Sequence, residues 1–227
     1  MQIKEVTLKT SKVEEMKDFY TNVLGFPLID EDRDSFQIAA GSSKLVFTGR
    51  DARGEPYYHF AFSIPGTKFY EAKAWVKRKV DLNLENGEDE ADFPHLSARS
   101  FYFYDPAGNI VEFIARHSIT ETEEEAFSTK NIVNISEVSL TVEDAIAAGE
   151  QLQEFGIKER DNEPINASSL NFIGERETGV FLLLTQPGRR WIFSNKAAAV
   201  YPLRLSLANN VQILVDEYHP FVIDNTG

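Results

Sequence analysis

Glu112 is the first residue in this chain whose setting asks for a chemical explanation. It interrupts the apolar stretch 110–115 that follows the turn in the segment RSFYFYDPAGNIVEFI at residues 99–114. An unpaired carboxylate on a buried strand is costly or becomes protonated. Glu112 therefore faces solvent, pairs with an arginine, or has its charge compensated by a cation. Tyr102 and Tyr104 precede it in the same hairpin. Two apart on a strand, they point to one face. There their hydroxyls can orient or protonate a substrate oxygen, or simply pack the sheet. Arg99 can grip an anionic group through a forked hydrogen bond, or lie at the surface. His95 sits in the loop before the hairpin, within reach of a cleft. His59 lies in another apolar stretch, YYHFAFSI. His117 and His219 carry little signal.

The elements that must position these residues recur along the chain. Residues 2–9 alternate apolar and polar side chains, as a strand does. Ser11 and Glu14 have the spacing of a capping box, ahead of a helix that Gly25 ends. A short strand at 27–32 and a hairpin of 36–40 with 44–48 complete a β-α-β-β-β order. The order repeats with a strand at 57–64, a helix at 68–80 and a short strand at 81–84. An acidic loop at 85–92, read as solvated, leads to the closing hairpin 100–104 and 109–115. Trp75 reads as helix-to-sheet core. EVSL at residues 137–140 nearly repeats EVTL at 5–8 and opens a third copy. That copy has a helix at 143–155 and short strands at 158–160, 169–173 and 180–185. A hairpin of 203–207 and 211–215 around Asn209-Asn210 is the remnant of a fourth copy. The expected organisation is paired modules one and two in residues 1–118, an acidic linker at 119–130, and degenerate modules three and four in 131–227. The fold class is α+β, with paired β-α-β-β-β modules forming curved, cleft-enclosing mixed sheets.

The composition narrows the function. With 227 residues, 42% hydrophobic and 26% charged, the chain is an ordinary globular protein with room for a real core. A net charge of -13 repels phosphate backbones and anionic membranes, so neither nucleic acid nor a membrane is an expected partner. The absence of cysteine excludes disulfides, thiolate metal sites and cysteine nucleophiles, and is compatible with the cytosol. The N-terminus shows no signal-peptide pattern, so a cytoplasmic location is expected. No phosphate loop, dinucleotide fingerprint or serine elbow is present.

The stretches EVTLKTSKVEEMKDFYTNVLGF, YYHFAFSI and SFYFYDPAGNIVEF resemble the vicinal oxygen chelate superfamily. That superfamily includes glyoxalase I, extradiol dioxygenases and bleomycin-resistance proteins. The resemblance covers residues 1–117 and weakens from 130 onward. It implies metal positions on the first and last strand of each module, which here fall on Glu5, Val46, His59 and Glu112. Glu5 stands where the family usually has histidine, and Val46 where some members have no ligand. Glu5, His59 and Glu112 together offer one nitrogen and two carboxylates, a set suited to Fe(II), Mn(II) or Zn(II). Glu137 occupies the Glu5 position in module three, but Leu182 stands where the closing carboxylate would be. No second metal site is expected there. The implied function is a metal-dependent lyase or dioxygenase acting on a small molecule that chelates the metal through vicinal oxygens. Glu5 or Glu112 would be a base and Tyr102 a proton donor, with Arg99, Tyr104 and His95 contacting substrate. The competing reading is a metal-free protein that sequesters a small molecule, of the bleomycin-resistance type. The expected state is a monomer or homodimer.

Overall fold

The computed structural model describes residues 1–116 and 126–225. Module one comprises β1 (Ile3–Lys9), α1 (Val13–Asp18), β2 (Leu28–Glu31), β3 (Ser35–Ala40) and β4 (Ser43–Thr48). Module two comprises β5 (His59–Pro65), α2 (Phe69–Lys77), β6 (Ala91–Phe93), β7 (Ala98–Tyr104) and β8 (Ile110–Arg116). Module three has β9 (Asn134–Thr141), α3 (Ala145–Glu154), β10 (Asn171–Glu175) and β11 (Val180–Thr185). β12 (Leu203–Leu207), β13 (Val211–Val215) and β14 (Val222–Asn225) close the chain.

The strands form two seven-stranded mixed sheets, so the α+β class holds. The first runs β14-β13-β12-β1-β4-β3-β2 and the second β10-β11-β9-β5-β8-β7-β6. Modules one and two therefore lie in different sheets. Module one joins the C-terminal strands through the antiparallel β1–β12 pair, and module two joins module three through β5–β9. Phe127 is buried against Trp75 and Phe113, and Ser128 caps a short turn. The acidic run 121–125 lies outside the described residues.

One apolar core unites both sheets and the helices. Phe47 and Phe26 of module one meet Phe60 and Phe62 of β5, at ring-centre distances of 6.4 and 5.0 Å. Alternation sends Phe60, Phe62 and Ile64 of β5 into this core, and with them Val111, Phe113 and Ala115 of β8. It sends His59, Ala61 and Ser63, and likewise Ile110, Glu112 and Ile114, to the other face. Both strands are buried along their whole length, so that second face is also covered. At the β3–β4 turn, Gly41 has φ +61, and a Cβ there would meet the Val133 carbonyl oxygen at 2.1 Å. Ser42 N donates to the same carbonyl, which ties the first sheet to the start of β9.

Three local expectations differ from the structure. The Ser11–Glu14 capping box does not form; α1 starts after Lys12, whose amide donates to the Thr10 hydroxyl. The short strands at 81–84 and 158–160 are reduced to single bridges, Leu82 with Phe103 and Glu159 with Ile173. β6 forms instead inside the acidic loop. That loop is held by ion pairs of Lys73 with Asp89 and Glu90, and of Arg190 with Glu85.

Candidate metal centre

The turn between β7 and β8 fixes where Glu112 falls. Asp105 accepts from Ala107 N, Asn109 N, Asn109 Nδ2 and the Tyr20 hydroxyl, at 3.1, 3.0, 2.7 and 2.9 Å. Burial pushes its carboxyl up to about 6, against those hydrogen bonds. Gly108 takes φ +79, a conformation that glycine adopts freely. The Asp-Pro-Ala-Gly-Asn signature is thus a structural clamp that sets the register of β8 against β7 and β5.

That register puts Glu112 beside Ala61 on one side and Tyr102 on the other. On the far side of β5, Ala61 also pairs with Glu137 of β9. A bulge follows, so that Ser136 and Glu137 together oppose Ala61. Bulges of this kind re-aim side chains beside active sites. His59, Glu112 and Glu137 each offer a ligand atom, and these atoms all lie within 4.8 Å of one another. The three residues are 5%, 2% and 5% exposed.

Their hydrogen bonds define which atoms are free. His59 Nδ1 lies 2.9 Å from the Ile110 carbonyl oxygen, which can only accept, so Nδ1 carries a proton. Nε2 lies 3.4 Å from Glu112 Oε2; protonated, it pairs with that carboxylate, and deprotonated, it offers its lone pair to a cation. The Ser100 hydroxyl donates to Glu112 Oε1. Arg116 Nη2 donates to Glu137 Oε1 at 2.6 Å and fixes that carboxylate. Partners of this type orient metal ligands and set their basicity. Burial opposes a charged His59, but the hydrogen bond and charge of Glu112, with the charge of Glu137, outweigh it and raise its pKa. Burial and then the Glu112 charge push Glu137 up, against Arg116 and His59. Burial and the nearby Glu112 charge hold the Tyr102 hydroxyl protonated well above its usual range.

With His59 neutral, as a metal ligand must be, two buried carboxylates against one guanidinium leave the site one positive charge short. A divalent cation fits that deficit, and an imidazole with two carboxylates is a donor set for such ions. His59, Glu112 and Glu137 would hold it.

The site is roofed by the segment between β11 and β12. Trp191, Phe193 and Ala198 pack on Tyr102, Ile110, Phe181 and Leu183. The Trp191 ring lies 4.9 Å from that of His59, and Phe193 stacks on Tyr102 at 4.7 Å. Phe193 has φ +52, a strained value for a bulky residue. Its amide is held by Glu85 at 2.9 Å, and Glu85 also pairs with Arg190. The Tyr104 hydroxyl anchors this strap through Ser194 at 2.8 Å.

The expected residues are therefore only partly brought together. His59, Glu112 and Tyr102 converge. Glu5 does not: it stands on β1 of the first sheet, bonded to Gln37 at 3.0 Å, and it lines a separate cavity of about 570 Å³. The pairings that place Glu112 and Glu137 beside Ala61 place Val46 and Arg204 beside Thr7 in the first sheet. A valine and an arginine thus stand where the second sheet carries its two glutamates. Arg99 lies one residue out of phase with Ser100 and Tyr102, on the opposite face, and bonds Tyr70. Tyr104 serves the strap. His95 belongs to the turn Pro94–Leu96, and its side chain is outside the described residues, as is His117. Glu137, Arg116 and the strap are the parts that sequence reasoning missed. The EVTL/EVSL repeat flagged Glu137, but not that β9 would pair with β5.

The fold repeats β-α-β-β-β units around a buried histidine–glutamate cluster, and sequence matching finds the same family of folds. The family model described as Glyoxalase/Bleomycin resistance protein/Dioxygenase superfamily matches residues 2–113, so that part of the chain is similar to that superfamily. A second model, Toxoflavin-degrading enzyme, matches residues 135–189. No curated protein matches the sequence. A putative dioxygenase from Bacillus subtilis is similar in structure, with TM-score 0.54 and 18% identity, over 81% of this chain and 63% of that one. A lactoylglutathione lyase from Agrobacterium tumefaciens aligns with TM-score 0.42 and 21% identity, over 50% of this chain and 92% of its own. An integron cassette protein from the Halifax Harbour sewage metagenome aligns with TM-score 0.44 and 24% identity, over 50% of this chain and 97% of its own. At these identities the likeness is one of fold. Among the described residues no helix is long and apolar enough to cross a membrane.

Proposed function

We propose that the chain is a metal-dependent enzyme acting on a small molecule that chelates a divalent metal through vicinal oxygens. The observation that carries the reading is the convergence of His59, Glu112 and Glu137 from three strands onto one buried point. Fe(II), Mn(II) or Zn(II) held there supplies a Lewis acid that stabilises charge developing on a substrate oxygen. The protein's own groups do the rest. Tyr102 keeps its proton and donates to a substrate oxygen. Glu112, steadied by Ser100, accepts a proton from substrate at its carboxylate. Arg116 keeps Glu137 in one orientation, and the aromatic strap excludes water. The superfamily includes lyases and dioxygenases, and the toxoflavin-degrading model covers the strand that supplies Glu137. A hemithioacetal, a catechol and toxoflavin are therefore the first substrates to offer to protein loaded with each metal. Turnover of one of them, lost in Tyr102→Phe with metal retained, supports the reading. No turnover of any by metal-loaded protein counts against it.

A specific observation favours a second reading. Glu112 has Ser100 and His59, and Glu137 has Arg116, so the cluster also stands as an ion network without metal. In that case the chain is a sequestering protein of the bleomycin-resistance type. It would show tight small-molecule binding by metal-free protein and no metal uptake.

A further inference from the structure

Six buried side-chain atoms lack a hydrogen-bond partner among the described residues, and four of them belong to one neighbourhood. They are Ser63 Oγ, Arg116 Nη1, Asn134 Oδ1 and Ser136 Oγ. Ser63 and Asn134 face each other across the β5–β9 pair. Directly opposed side chains there have Cβ atoms about 5 Å apart. Ser136 is the bulge residue next to Glu137. Arg116 reaches Glu137 with one nitrogen, so its other terminal nitrogen lies beside the same carboxylate. A side chain at residue 179 would fill the cradle of this guanidinium. A Cβ on Gly179 would meet Arg116 Cδ and Nε at 2.7 Å. The neighbouring side chains of this face, Ala61 and Ala98, are short.

Buried polar groups are nearly always satisfied, and a cluster of orphans calls for a partner beyond the protein's own groups, an ordered water, an ion or a ligand. The charges state its sign. Two glutamates, one arginine and a divalent ion sum to a single positive charge, which a monoanion neutralises. We infer that Arg116 Nη1, Ser63 Oγ, Ser136 Oγ and Asn134 Oδ1 form a polar subsite beside the metal triad that receives the oxygen end of a small organic monoanion. The class is a carboxylate or enolate with an adjacent chelating oxygen. Arg116 supplies the charged donor and the serines supply hydroxyls. Asn134 Oδ1 accepts from a hydroxyl or N–H of the same ligand. This inference rests on the metal reading and extends it to the substrate's charge.

The test uses glycolate and its neutral counterpart glycolamide as probes, titrated calorimetrically into Mn(II)-loaded full-length protein. Metal per chain is measured on the same samples. Ser63→Ala/Ser136→Ala removes two donors and leaves Arg116 and Glu137 untouched. The expected result is that this variant binds glycolate about tenfold more weakly, with glycolamide changed less than about twofold and metal content unchanged. Should the double variant not fold, Ser63→Ala alone is expected to weaken glycolate by about threefold. Equal changes for both probes, or none for either, would mean that these atoms hold ordered water only and would overturn the subsite. Wild-type protein that takes up no metal would instead refute the metal reading, and the subsite with it.

Discussion

Asp105→Ala tests whether the Asp-Pro-Ala-Gly-Asn turn is a clamp. The substitution strands four donors, three of them buried: the Tyr20 hydroxyl, Asn109 Nδ2 and Asn109 N. Each orphaned buried donor costs about 1–3 kcal/mol, and part is recovered as the turn relaxes. Burial raises the carboxyl from 3.8 to about 6, so the folded state binds its proton more tightly than the unfolded state does. The stability this proton contributes is fully present below the unfolded value and is lost as pH rises through the folded one. Linkage between those two values puts the loss at about 1.6 kcal/mol by pH 5 and about 3 kcal/mol by pH 8. The alanine variant carries no such slope. Its cost relative to wild type should therefore be on the order of 3–4 kcal/mol at pH 5, shrinking by about 1.5 kcal/mol at pH 8. Urea unfolding of both proteins at the two pH values reads this directly. A cost that grows with pH would show that the four donors hold the carboxylate below its usual range, and would refute the reasoning.

Two further perturbations probe the roof and the frame. Trp191→Ala removes the ring lying on His59, so stability should fall by about 3 kcal/mol in urea, and a chelator should strip added metal faster. Unchanged stripping would mean that the strap does not control access. Gly41→Ala forces a left-handed alanine whose Cβ meets the backbone of Val133, and unfolding midpoints should show a loss of at least about 2 kcal/mol. A neutral result would mean that the β3–β4 turn is free to move away from β9.

Much of the fold was legible because alternation and helical spacing depend on local sequence. The closing hairpin, its turn and the buried setting of Glu112 all followed from residues 99–114. Sheet partnership did not, because β1, β5, β9 and β12 are chemically similar first strands. Which of them pair is decided by packing over the whole core. That ambiguity explains the exchange of Glu5 for Glu137, since the two residues occupy the same position in near-identical strands. Arg116 was unreadable for a related reason. Its backbone lies four residues beyond Glu112, and only its length brings the guanidinium back to Glu137. The strap at 186–202 has no periodic pattern, so nothing local announced that Trp191 and Phe193 would cover the site. Of the two readings open for Arg99, its strand phase gives the surface one, since one residue decides the face.

The most direct measurement is bound metal per chain by elemental analysis, on untagged protein reconstituted with Mn(II), Fe(II) or Zn(II). Wild type, His59→Ala, Glu112→Ala, Glu137→Ala and Glu5→Ala would be compared, with folding checked by circular dichroism. The account predicts close to one metal per chain in wild type and in Glu5→Ala, and loss in the other three. Folded wild type without metal, or retention in Glu137→Ala with loss in Glu5→Ala, would contradict it.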